Sequence, residues 1–173
     1  MFELNYKTLA NYNKVTNEYM NDYIKNITEE QWDKIFNGYF KSIHELCSHI
    51  YICDFNWLKR FSKLRKFQTF NNRIFENNLN FSEIIFQNIN EYMEKRIELD
   101  EIIIKFINEL NQNDLESILE FTDSKGTNIK KKMEPLIIHV FNHQAHHRGM
   151  ISLYLEFLGI ENGFSGSLYK IEL

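Results

Sequence analysis

The stretch His139-Val-Phe-Asn-His143-Gln-Ala-His146-His147-Arg-Gly-Met150 holds four of the six histidines in the chain. On a helix, at about 100° per residue, positions four apart lie about 40° apart, so His139, His143 and His147 form one row. Leu136, Val140, Met150, Ile151, Tyr154 and Leu158 fall at the same phase, whereas Gln144, Arg148, Ser152 and Glu156 fall opposite. The row is therefore expected to face inward and the second set outward. An inward imidazole needs a hydrogen-bond partner or a metal. A pair at i and i+4 can offer two nitrogens to one ion at Zn–N distances of about 2.0–2.1 Å.

Working outward, the helix carrying this row begins near Pro135, which suits a first turn, and ends at Gly159, a natural residue just past a helix end. Before it, Phe121-Thr-Asp-Ser-Lys-Gly126-Thr has turn chemistry that joins two short extended segments. A helix is predicted from Ser82 as N-cap to about Leu110, with Ile85, Ile89, Tyr92, Met93, Ile97, Ile103, Phe106, Ile107 and Leu110 inward. The Asn-rich residues 71–80 read as a connection. Another helix is expected from about Phe40 to Leu64, buried along Ile43, Leu46, Ile50, Cys53, Trp57, Phe61 and Leu64. A first helix spans about Leu4 to Tyr23, with Leu9, Tyr12, Val15 and Tyr19 as its stripe. Thr28-Glu29-Glu30-Gln31 has the form of a capping box. The sum is an all-α single domain over residues 1–173, a four-helix bundle with a short hairpin-like segment before the last helix and an irregular tail from Asn162.

A length of 173 residues is enough for a hydrophobic core without staples. One proline and six glycines suit long helices better than a many-stranded sheet. The net charge of -4 argues against nucleic acid as a partner, because neutralising phosphates needs a basic face. The one dense basic run, Lys59 to Lys66, sits at a helix C-terminus, where it complements the macrodipole. The start of the chain lacks a continuous apolar core, and no run of about 18 apolar residues occurs, so a cytoplasmic protein without membrane association is expected. Cys47 and Cys53, about 120° apart on a helix, fit neither a disulfide framework nor a C-x-x-C knuckle and read as two core thiols.

His44-Glu45-Leu46-Cys47-Ser48-His49 approaches the zinc-protease H-E-x-x-H but places its second histidine one residue late. At i+5 the two rings diverge by about 140° and cannot share an ion. His44 then reads as a surface residue. His49 remains as an inward candidate on a different helix from His143 and His147, with Glu45, Cys53, Asn56 and Arg60 near its phase. From the residues alone, these histidines are either metal ligands or hydrogen-bonded core side chains.

The chain resembles the DinB-like (DinB/YfiT) superfamily of metal-binding four-helix bundles from about Phe40 to Gly159. The histidine-rich run from His139 to Gly149 is similar to the signature of that family nearly residue for residue. Ser42-Ile43 followed by His49 and Trp57 is similar to its second-helix segment. Carried over by position, the resemblance implies metal ligands at His49, His143 and His147. Met150 stands where the family usually has Gln, and the tail after Gly159 lacks an Asp-containing ending common in relatives.

The resemblance further implies a divalent ion, zinc first and nickel, iron or manganese as alternatives, with one coordination position open. The expected activity is that of a metal-dependent enzyme, a thiol S-transferase taking a low-molecular-weight thiol and a small-molecule substrate, or a hydrolase. No catalytic side chain is singled out. His139 and His146 are expected beside the ligands rather than on the ion, and Asn56 and Arg60 on the approach. The alternative is a bundle that binds a metal or small ligand without turnover. The assembly state stays open between monomer and homodimer.

Overall fold

Asn5, Ser42 and Asn88 each accept, on the side chain, the backbone N–H three residues on, at Thr8 (3.1 Å), Glu45 (3.0 Å) and Glu91 (2.9 Å). These caps satisfy orphan amides at the starts of three long helices. In the computed structural model, which describes residues 5–71, 73–123 and 126–164, they open α1 (Tyr6–Ile24), α3 (Ile43–Phe61) and α4 (Ile89–Glu109). The one-turn α2 (Glu29–Trp32) has the expected capping box between Thr28 and Gln31. After the five-residue α5 (Gln112–Glu116) come the strands β1 (Ile118–Thr122) and β2 (Asn128–Lys132), then α6 (Met133–Phe157). Two 3-10 turns follow α3, Gln68–Asn71 leading into the Asn-rich connection and Arg73–Glu76 within it.

The four long helices close a ring in which α1 packs on α4, α4 on α3, α3 on α6 and α6 on α1. The fold is all-α apart from the antiparallel hairpin, whose register pairs Ile118 with Lys132 and Phe121 with Ile129. Gly126 supplies the positive φ of 82° that its turn needs, and Gly159 (φ 78°) ends α6 as expected. Leu4, Ser124-Lys125 and the tail from residue 165 lie outside the described residues.

Several expectations need correction. The third long helix starts at Ile89 rather than after Ser82. Phe86 is buried against Tyr51 and Tyr92, and its carbonyl lies 2.9 Å from His44 Nε2, which holds this segment out of the helix. Ile97 is 50% exposed, not inward. The buried face of α1 is not the stripe through Leu9, Tyr12, Val15 and Tyr19 but Ala10, Asn13, Thr16, Asn17, Met20, Asn21 and Ile24. Gln144 and Arg148, placed outward by the simple amphipathic pattern, are 0% and 5% exposed. They meet the polar face of α1, so α6 is buried on two sides, one against α3 and one against α1.

Candidate metal centre

α3 and α6 face one another with the same spacing of donors. His49 and Cys53 lie one turn apart on α3, and His143 and His147 one turn apart on α6. His143 Nε2 is central, 3.2 Å from His49 Nε2 and 3.1 Å from His147 Nε2. Cys53 Sγ is 3.5 Å from His49 Nε2. The donor atoms of His49, Cys53 and His143 all lie within 4.8 Å of one another, so this group could hold a metal ion. His147 joins it through His143.

Protons alone do not satisfy this arrangement. A neutral imidazole has one N–H and one lone pair. If His143 Nε2 carries its lone pair, two N–H groups compete for it; if it carries the proton, it can serve one neighbour well. His147 Nδ1 is buried with no hydrogen-bond partner. The rings are also held neutral. Burial pulls His143 down to about 3, with repulsion from His147, His49, His139 and His146 adding to it. Burial, then His49 and His146, brings His147 down to about 4, and burial lowers His49 as well. Three neutral rings with converging nitrogens are a donor set suited to a divalent cation.

Phe40 packs against the back of the cluster, its ring centroid 4.6 Å from that of His49 and 5.2 Å from that of His147, edge-on to the latter. The loop carrying it is pinned by the Tyr154 hydroxyl, which donates to the Phe40 carbonyl at 2.5 Å. A β-carbon at Gly38 would overlap that hydroxyl, so the close approach requires glycine. On the other side, His49, Cys53 and His143 line a cleft of about 490 Å³ whose walls include Trp57, Arg60, Phe81, Phe121, Ile129 and His139. The Arg60 guanidinium lies 4.7 Å from the centre of Trp57 and 5.2 Å from that of Phe121. The cleft is thus largely apolar and aromatic, with one cation, Arg60, and one carboxylate, Asp123, on its walls, the two attracting one another.

Behind the donors runs a buried ionic seam. Arg96 donates to Asp54 (2.7 Å) and Asp100 (2.8 Å), and Arg148 donates to Asn13 (2.6 Å), Asn17 (3.0 Å) and Gln144 (3.2 Å). Asn17 closes the chain by donating to Asp100 and Gln144. Asp54, Gln144 and Arg148 directly follow Cys53, His143 and His147. About 100° separates neighbours on a helix, so the side chains that fix the rotation of α3 and α6 also set the direction of the donors.

His49, His143 and His147 are brought together as the sequence suggested. His139 is exposed, lines the cleft, and stands edge-on to Trp57 at 5.5 Å, so the inward row stops short of it. His146 is exposed, with its ring 4.9 Å from that of His147. Arg60 does line the cleft, but Asn56 does not: its amide donates to the Leu79 carbonyl at 3.1 Å and ties α3 to the connection. His44 is not a surface residue. It is 7% exposed, stacks on Trp32, and places its ring nitrogens 2.8 Å from Asp33 and 2.9 Å from the Phe86 carbonyl. Cys53 reads in the sequence as a core thiol near the phase of His49, yet H-x-x-x-C puts both on one face and brings its sulfur among the donors.

A helical bundle with a histidine and cysteine donor cluster between two facing helices is therefore the class of protein defined here. The chain belongs to the DinB family, which it matches over residues 1–168. It is 25% identical to Protein DinB of Bacillus subtilis (strain 168) over 151 residues, which cover 87% of this chain and 84% of that protein.

Proposed function

We propose that this DinB-family chain binds one divalent ion, zinc foremost, through His49, His143 and His147, and acts on a small molecule held in the aromatic cleft. The two short contacts of His143 Nε2, 3.2 Å to His49 Nε2 and 3.1 Å to His147 Nε2, carry this reading. Nitrogens on one tetrahedral ion with Zn–N of about 2.0–2.1 Å stand about 3.3 Å apart. When bound, the ion lowers the pKa of a water or thiol on its open side. The chain's own side chains supply the rest. Phe40 keeps water from the back of the rings, Trp57 and Phe121 offer apolar walls, and Arg60, partly offset by Asp123, offers a cation to an anionic substituent. A thiol S-transferase using a low-molecular-weight thiol fits this cleft, and a cytoplasmic setting would keep such a thiol reduced. No helix among the described residues is long and apolar enough to cross a membrane.

The test is the metal content of protein purified without chelator and reloaded with Zn²⁺. About one equivalent per chain is expected from one three-ligand site. Less than about a tenth of an equivalent would withdraw the reading. A second reading, metal binding without turnover, is favoured by Cys53, which stands beside the position a substrate would need.

A further inference from the structure

Cys53 lies where it can do more than line the cleft. Its sulfur is 3.5 Å from His49 Nε2, and within 4.8 Å of the His143 donor. For a tetrahedral ion with Zn–N of about 2.0–2.1 Å and Zn–S of about 2.3 Å, the nitrogen-to-sulfur separation is about 3.6 Å. The separation across one turn of α3 therefore suits two donors sharing one ion, as the 3.1 Å separation across one turn of α6 does for His143 and His147. The other cysteine, Cys47, is fully buried in the core on a different face of α3 and cannot take this part.

We infer that Cys53 is a fourth protein ligand, closing the coordination sphere on the cleft side until an incoming ligand displaces it. The inference rests on the metal site proposed above. Cys53 would bind as thiolate, its proton passing to solvent, with no oxidant or reductant involved. Cys53, and not a water, then faces the cleft at rest, and an external thiol would exchange one sulfur ligand for another. The neighbouring Asp54 holds this turn of α3 through its 2.7 Å bond to Arg96, so the sulfur is presented from a fixed stretch of helix.

Cobalt(II) reports the ligand set without any assay of activity. In wild-type protein loaded with one equivalent of Co²⁺ and no added thiol, intense sulfur-to-cobalt charge-transfer absorption is expected in the near ultraviolet. Cys53→Ala and Cys53→Ser should lose it while still binding the ion through histidine, and Cys47→Ala should retain it. A wild-type complex that binds cobalt without that absorption overturns the Cys53 inference and leaves the three-histidine site standing. Absorption that persists in both Cys53 variants also overturns it. Failure of wild-type protein to bind cobalt or zinc at all overturns both. The wild-type spectrum alone decides the matter should the variants fold poorly.

Discussion

His143 and His147, one turn apart on α6, hold their Nε2 atoms 3.1 Å from one another, while the next residues, Gln144 and Arg148, are joined at 3.2 Å on the other side of the same helix. α6 is thus a two-sided element, with donors toward α3 and a polar seam toward α1. Rotation of this helix would disturb both at once.

Loss of any one of His49, His143 or His147 to Ala is expected to remove most of the bound Zn²⁺. His146→Ala, whose ring only borders His147, should weaken affinity by roughly 10–100-fold at most and keep the stoichiometry at saturating metal. Metal analysis after equilibrium dialysis checks this. Full retention by His147→Ala would move the ion onto His49, Cys53 and His143, the trio with mutually close donors.

Metal-free protein should lose stability from these rings as pH falls. Unfolded histidine titrates near 6.5, whereas His143 and His147 in the fold titrate near about 3 and 4, so below about 6.5 the unfolded chain binds more protons. Their contribution is fully present above about 6.5 and is lost progressively toward pH 4. Burial raises Asp54 to about 7, and raises Asp100, which pulls the opposite way over the same range. The readout is therefore the difference in urea midpoint between EDTA-treated wild type and His143→Ala at pH 7.5, 6 and 5. The advantage of the variant should grow as pH falls; a difference that stays constant would contradict the assigned shifts.

The four long helices, the hairpin and the capping box were legible because each rests on local signals: apolar period, Gly126, and Thr28 with Gln31. The polar seam was not. Asn13, Asn17, Gln144, Asp100 and Arg148 look like solvent-facing positions on single helices, and only their meeting across the bundle makes burial tolerable. The histidine pair on α6 and His49 were legible as one set of candidates. Cys53 and Phe40 were not, since the first reads as core and the second gains its place from a loop fixed by Gly38 and Tyr154.

Arg96→Met should be strongly destabilising. It leaves Asp54 and Asp100, both nearly fully buried, without their shared cation, and breaking such a pair from one side costs about 3–5 kcal/mol. Urea unfolding at pH 7.5 gives the number. A loss below about 1 kcal/mol would show that the seam tolerates protonated carboxyls at little cost.

His44→Ala separates stability from metal binding. Two hydrogen-bonding contacts and the stacking on Trp32 are lost, for a cost of about 1–3 kcal/mol, while zinc content stays at wild-type level. Unchanged stability would mean that the contacts to Asp33 and Phe86 contribute nothing net; lost metal would place His44 in the site.

The thiol reading is best tried where Cys53 cannot mask it. In Co²⁺-loaded Cys53→Ala, small thiols entering from the cleft should restore sulfur-to-cobalt absorption, because a coordinating thiol is deprotonated and bonds directly to the ion. Anionic thiols should do so at lower concentration than neutral ones of equal size, and Arg60→Ala should erase that preference, since Arg60 is a cation on the wall of the cleft. Restoration by all thiols alike would leave Arg60 as a packing residue. Spectra unchanged across a panel of thiols would withdraw the S-transferase reading and leave a metal-binding bundle whose cleft admits some other ligand.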